Sequence, residues 1–133
     1  SSEMFRGCET ILLAEDDEAV RKYTHRLLSQ NGYVVLEARD AEEALQTAKN
    51  HKGAIHLLLA DLVMTGLRGD DLAKQLTAAR PEMKIILTSG YTEAGVVRHD
   101  LLSAQAQFIQ KPVDPAELNR MIRTTLDKPK PKP

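Results

Sequence analysis

The 133-residue sequence is poor in several features at once, and each shortage excludes a class of function. Its formal net charge is only −1, with 18 Lys and Arg against 19 Asp and Glu. Nucleic-acid recognition needs a basic patch or stripe, and this balance offers none. No apolar run approaches the roughly 20 residues of a membrane-spanning helix, and no signal-peptide pattern is visible, so no membrane insertion by this domain is expected. The single cysteine, Cys8, cannot form an intrachain disulfide and suits a reducing, cytoplasmic setting. No G-x-x-x-x-G-K-[ST] loop occurs, and Gly66-Leu67-Arg68-Gly69 reads as an ordinary loop. The histidines at 25, 51, 56 and 99 are too scattered for a metal site and read as surface positions.

What is present is ordinary globular material: 42% apolar and 28% charged residues, enough for one domain with a real core. Residues 1–8 lack periodicity and read as a linker. Residues 128–133, "KPKPKP", read as an extended, solvated tail. The domain is expected over residues 9–127. Short apolar strands alternate with amphipathic helices along it. Strands are predicted at "TILLA" (10–14), "YVVLEA" (33–38), "AIHLLLAD" (54–61), "MKIILTS" (83–89) and "AQFIQK" (106–111). The first helix follows Asp16 or Asp17 as cap, carries Val20, Tyr23, Leu27 and Leu28 on its apolar stripe, and stops at Asn31-Gly32. A second spans 40–50, with Ala41, Ala44, Leu45 and Ala48 inward. A third spans 70–80 and ends before Pro81. A weaker one is predicted over 93–103, "EAGVVRHDLLS". The last spans 114–127, with Asp114 as cap, Pro115 in its first turn, and Leu118, Met121, Ile122 and Leu126 on its buried face.

Strands with helical crossovers argue an α/β fold with a parallel sheet covered on both faces. Such sheets bind ligands outside the C-terminal ends of their strands. Those ends carry Glu15, Asp16 and Asp17, then Asp61, then Thr88 and Ser89, then Lys111. Each alone has an ordinary reading: helix caps, a turn carboxylate, a turn hydroxyl, a solvated strand end. Their joint occurrence at one sheet edge is much harder to explain that way. Crowded carboxylates repel one another, and a hard dication such as Mg²⁺ offsets that repulsion with oxygen ligands. An Asp can act as nucleophile toward a phosphoryl group, and a Lys and a hydroxyl can hold the incoming oxygens.

The segments "ILLAEDDEAVR", "LLLADLVMTGLRGDDL", "IILTSGYT" and "FIQKPVDPAEL", in this order and spacing, resemble the receiver domain of two-component response regulators over about residues 9–127. The resemblance implies a flavodoxin-like, doubly wound five-stranded parallel sheet of order 2-1-3-4-5 with five helices. It implies that Asp61 accepts a phosphoryl group from a phosphohistidine on a histidine kinase domain. Glu15 and Asp16 would form the acidic pair, and Asp16, Asp61 and the backbone carbonyl of Val63 would bind Mg²⁺ or Mn²⁺. Arg21, five residues after Asp16, sets that register; Asp17 is the alternative if it slips by one. Ser89, 22 residues before Lys111, matches the switch hydroxyl, with Thr88 as runner-up. Lys111 would bind the phosphoryl group, and its bond to Pro112 would be cis. Phe108 occupies the position of a switch aromatic, with core packing as its other reading. The surface formed by the helix over 93–103, the strand over 106–111 and the helix over 114–127 would then change partners. Three residues depart from the family pattern: Thr65 stands where many members have Pro, Phe108 lacks a hydroxyl, and Glu15 replaces the commoner Asp.

Two other functions compete. An aspartyl phosphatase on a similar fold carries a second Asp two residues after the nucleophile, and here that position is Val63, which cannot move a proton. A pseudo-receiver would keep the fold as a phosphorylation-independent interaction module; Asp61, Asp16, Ser89 and Lys111 argue against it. Any catalysis implied is of the domain's own phosphorylation and dephosphorylation. The wording "ILTSGYT" is similar to that of receivers in hybrid histidine kinases, so kinase-linked origin is expected, with a stand-alone regulator as alternative. A histidine phosphotransfer protein is a further implied partner. The implied setting is cytoplasmic, including tethering to a membrane sensor kinase through the rest of the chain.

Overall fold

The "LLLAD" segment is buried at every position, which requires cover on both faces of its strand. The computed structural model, which describes residues 7–64, 66–90 and 106–128, supplies that cover. Five strands form one parallel sheet: β1 (Thr10–Ala14), β2 (Val34–Ala38), β3 (Leu57–Asp61), β4 (Lys84–Ser89) and β5 (Ala106–Gln110). Their order is β2-β1-β3-β4-β5, as expected from the sequence. Four helices lie among the described residues: α1 (Glu18–Gln30), α2 (Ala41–Asn50), α3 (Gly69–Ala79) and α4 (Pro115–Asp127). The helix expected over 93–103, Thr65 and His99 lie outside the described residues.

The sheet divides the core in two. Leu12, Leu58, Ile85 and Leu87 face Leu72, Ala73 and Leu76 of α3 and the alanines of α2. Ile11, Leu13, Leu57, Leu59, Ile86 and Ile109 face Leu28 of α1 and Leu118 and Ile122 of α4. Each fully buried Leu stabilises the fold by roughly 1.5–3 kcal/mol relative to exposure. The small residues Ala41, Ala44 and Ala48 let α2 lie close to the sheet, with Leu45 at its margin.

Helix starts follow local chemistry. Asp17, Asp40 and Asp114 accept from the N–H groups of Val20, Glu43 and Glu117 at 3.1, 2.8 and 3.0 Å. Of the two candidate caps for α1, Asp17 therefore takes the role. Helix α3 has no side-chain cap among the described residues. Its first residue, Gly69, instead donates its N–H to the Leu62 carbonyl at 2.8 Å. Arg80 closes the other end of the α2 region by donating to the carbonyls of Ala48, His51 and Gly53 at 2.9, 2.8 and 2.9 Å.

The apolar stripe expected on α1 is only half right. Leu28 is fully buried and Leu27 partly so, but Val20 and Tyr23 are 43% and 54% exposed. The position that turns inward between them is Arg21, 6% exposed. A guanidinium can be buried there because it finds a carboxylate and a carbonyl, described below. The segment before β1 makes contact early: Gly7 donates its N–H to the Asn31 carbonyl at 2.9 Å.

Candidate functional site

Parallel strands in register bring their last residues to one edge. Asp61, the final residue of β3, pairs across the ladder with Thr88 of β4, and Ser89 of β4 pairs with Gln110 of β5. The Lys111 N–H donates to the Ser89 carbonyl at 2.8 Å, which extends that ladder by one step. On the other side of β3, β1 ends at Ala14, and the chain passes at once through Glu15, Asp16 and Asp17 into α1. The sheet thus delivers all of the sequence-predicted polar residues of strands one, three, four and five to its C-terminal edge.

Three carboxylates meet there. One oxygen each from Glu15, Asp16 and Asp61 lies within 4.8 Å of the others. Glu15 and Asp61 are buried and Asp16 is exposed. Asp17, the register alternative, spends its carboxylate on capping α1. Lys111 places its ammonium 2.5 Å from Asp61 Oδ2. The second Asp61 oxygen accepts from the Val63 N–H at 3.2 Å. The Lys111–Pro112 peptide bond is cis.

The electrostatics reflect this crowding. Burial, aided by the neighbouring Asp61 charge, pushes the Glu15 carboxyl up from 4.5 to about 7, against the opposing pull of the Asp17 N–H and the Lys111 charge. Partial burial lowers the Lys111 ammonium, but its hydrogen bond to Asp61 and the surrounding carboxylates outweigh that and hold its pKa above the usual lysine value. The donor set is all hard oxygen, arranged around like charges, which fits a cation such as Mg²⁺ or Mn²⁺.

The two candidate hydroxyls differ. Ser89 is 1% exposed, and its Oγ has no hydrogen-bond partner among the described residues. A buried hydroxyl without a partner is costly and marks a place where an acceptor is wanted. Thr88 is less buried and lines a groove of about 640 Å³ whose walls include Val20 and Tyr23 of α1, Leu13, Leu59, Val113, Asp61 and Lys111. That groove accounts for the exposure of Val20 and Tyr23. Phe108 is partly buried against the core face shared with α3.

Two residues at the site carry more than the sequence suggested. Arg21 served only as a spacing marker; it donates from Nε to Glu37 Oε1 at 3.0 Å and from Nη1 to the Glu15 carbonyl at 2.9 Å. The available signal was Glu37 itself, a lone charge in the apolar run "YVVLEA". Gly69 read as loop, yet a Cβ there would overlap the carbonyl oxygen of Asp61 and press on the Leu62 Cα at 3.0 Å. A glycine at a helix start with no polar cap was the available signal. Of the histidines, His25 departs from the surface reading, half-buried against Glu37, while His56 is exposed and accepts from the Thr10 N–H at 3.0 Å.

Comparison with known proteins agrees with this geometry. The chain matches the family model for the response regulator receiver domain over residues 11–123. It is 34% identical over 122 residues to the sensor kinase CckA of Brucella abortus (strain 2308), covering 92% of this chain and 13% of that protein. Among solved structures, a CheY-like response regulator receiver domain protein from Methanospirillum hungatei JF-1 superposes with a TM-score of 0.80 at 33% identity, over 91% of this chain and 95% of that one. The receiver domain of the hybrid histidine kinase CckA gives a TM-score of 0.75 at 32% identity, over 89% and 99% of the two chains. No helix among the described residues is long and apolar enough to cross a membrane. A flavodoxin-like sheet of order 2-1-3-4-5, with an acidic cluster and a lysine at its C-terminal edge, thus coincides with a family match across most of the sequence: the chain belongs to the receiver domains of two-component response regulators.

Proposed function

We propose that the domain is the phosphoacceptor of a two-component phosphorelay, taking a phosphoryl group from a phosphohistidine onto Asp61. The observation that carries this is a buried Asp61 that has both carboxylate neighbours and the Lys111 ammonium within reach. An Asp61 carboxylate oxygen attacks phosphorus, the bond from phosphorus to the histidine nitrogen breaks, and its electron pair stays on the imidazole, which departs neutral once protonated. Glu15, Asp16, Asp61 and the Val63 carbonyl would hold Mg²⁺, which would neutralise charge on the phosphoryl oxygens when bound. Lys111, which donates to Asp61, would turn to a phosphoryl oxygen, and Ser89 Oγ–H, without a partner among the described residues, would donate to another. A rigid strand end places the nucleophile better than a loop would.

The product adds charge and acceptor oxygens at the sheet edge. Drawing Ser89 toward them biases the segment after β4, and Phe108 on β5 is the aromatic positioned to answer. The likeness to CckA favours a donor within, or paired with, a sensor kinase; a histidine phosphotransfer protein would be the onward partner. The deciding experiment is intact-protein mass after incubation with acetyl phosphate, with and without Mg²⁺, on wild type and Asp61→Asn. The expected result is a Mg²⁺-dependent, base-labile adduct that the variant lacks. No adduct in wild type, with no NMR response of Ser89 and Lys111 to beryllofluoride, would turn the reading to a phosphorylation-independent pseudo-receiver.

A further inference from the structure

Every polar group of Glu15 that the structure pairs is held by something specific. Its N–H donates to the Ala38 carbonyl at 3.1 Å. Its Oε2 accepts from the Asp17 N–H at 3.0 Å. Its carbonyl accepts from Arg21 Nη1 at 2.9 Å. The first two contacts come from the main chain, through strand pairing and the approach to a helix. The third comes from a side chain, buried to 6% exposure, whose Nε reaches Glu37 Oε1 on β2 at 3.0 Å. His25, one turn further along α1, meets the other Glu37 oxygen. Glu37 stands opposite Leu13 in the β1–β2 ladder, so β2 holds this carboxylate beside the strand that leads into Glu15.

We propose that Arg21 is a positioning residue for the cation: tied to Glu37, its guanidinium pins the Glu15 carbonyl and so fixes the turn that brings the Glu15 and Asp16 carboxylates to Asp61. This rests on the phosphoacceptor reading of the site. Glu37 takes the Arg21 Nε, and a second donor, Nη1, goes to the carbonyl of the peptide that joins the two acids, where it holds the main chain between them. Partners of this kind, one step behind the ligands, orient them and tune affinity.

The test is Mg²⁺ affinity, measured by calorimetry and by amide shifts of Glu15, Asp61 and Lys111, beside urea stability. Four proteins are compared: wild type, Arg21→Met, Arg21→Lys and Leu28→Ala. Arg21→Met is expected to bind Mg²⁺ roughly 10- to 100-fold more weakly. Arg21→Lys keeps the charge but lacks the fork that spans both partners, so it recovers part of the loss. Leu28→Ala, at a fully buried position on the same helix, loses stability but keeps Mg²⁺ affinity within about twofold of wild type. Wild-type affinity in folded Arg21→Met overturns the proposal, as does an equal loss in Leu28→Ala. If Arg21→Met does not fold, Arg21→Lys decides: wild-type affinity there overturns the proposal, and weakened binding supports it. A wild type with no Mg²⁺ response would instead overturn the reading of the site itself.

Discussion

The two ends of the sheet treat the same chemistry in opposite ways. At the N-terminal edge, Arg123 of α4 donates to Glu9 from Nη1 and Nη2 at 3.0 and 2.5 Å and to Asp127 from Nη2 and Nε at 2.7 and 3.1 Å. Lys84 donates to the Thr125 carbonyl at 3.0 Å and to that of Lys128, satisfying carbonyls at the end of α4. At the C-terminal edge three carboxylates share one another's company, and the buried Ser89 hydroxyl lacks a partner among the described residues. The hydrogen bond from Arg123 holds Glu9 down at about 2, whereas burial pushes Glu15 up to about 7. Two glutamates in one small domain are thus moved in opposite directions. The paired end holds the chain together. The other end, where Lys111 is set among three carboxylates, leaves a demand for a cation and for acceptor oxygens, as the proposed phosphoacceptor site would.

The contrast is broken most severely by changing the surface on which the reactive end rests. Gly69→Ala puts a methyl group into the Asp61 carbonyl, where every close atom is backbone. Overpacking of this kind costs about 1–3 kcal/mol. Asp61 must shift with the strand end, and a misplacement of about 1 Å slows a positioned reaction roughly a hundredfold. Gly66→Ala is the companion: its φ of +93° strains an alanine, but among the described residues beyond its chain neighbours nothing lies within 4 Å of the added Cβ, so stability falls with little change in rate. Urea denaturation and the rate of acetyl phosphate labelling measure both. Wild-type labelling by a destabilised Gly69→Ala would show that the start of α3 does not seat Asp61.

This glycine also marks where the sequence stopped being legible. The strands showed because their apolar runs are bounded by turn residues and too short for a typical helix, and order 2-1-3-4-5 came with the family resemblance. Asp61, Lys111 and the acidic pair were visible because strand ends in such sheets converge. Arg21 and Gly69 were not, because their roles are steric and second-hand. A buried arginine is visible only once Glu37 is known to sit opposite, and a glycine's need for space only once the Asp61 carbonyl is beside it. Val20 and Tyr23 misled for the converse reason: helical spacing selects a face but does not say whether a groove lies beneath it.

A smaller effect sharpens the comparison through pH. Glu15 titrates near 7 folded and near 4.5 unfolded, so between those values the folded chain binds the extra proton. Its contribution to the metal-free domain is fully present below 4.5 and is lost as the pH rises through 7. Urea midpoints of the metal-free protein should therefore fall across that window, and those of Glu15→Gln should not. Mg²⁺ should reverse the trend, because it binds the ionised form; at a hundred times its dissociation constant it would add about 2.7 kcal/mol. A midpoint that rises from about pH 5 to 8 without metal would contradict the assignment.

Glu9 supplies the opposite sign and the mildest effect. Its folded value of about 2 lies below 4.5, so the unfolded chain binds more protons in that range. The contribution is present above pH 4.5 and disappears as the pH falls through about 2. Because the pair is partly solvated, Glu9→Gln should cost only about 1 kcal/mol near neutral pH. It should also flatten the acid limb of the stability curve relative to wild type. Mg²⁺ affinity and labelling of Asp61 should not change, since the full length of β1 separates Glu9 from Glu15. Glu15→Gln and Glu9→Gln therefore form a matched pair: one removes a glutamate whose ionisation the fold resists, the other one whose ionisation the fold requires. If both variants shifted Mg²⁺ binding, the two ends would be coupled through the sheet, and the division between a holding end and a reacting end would fail.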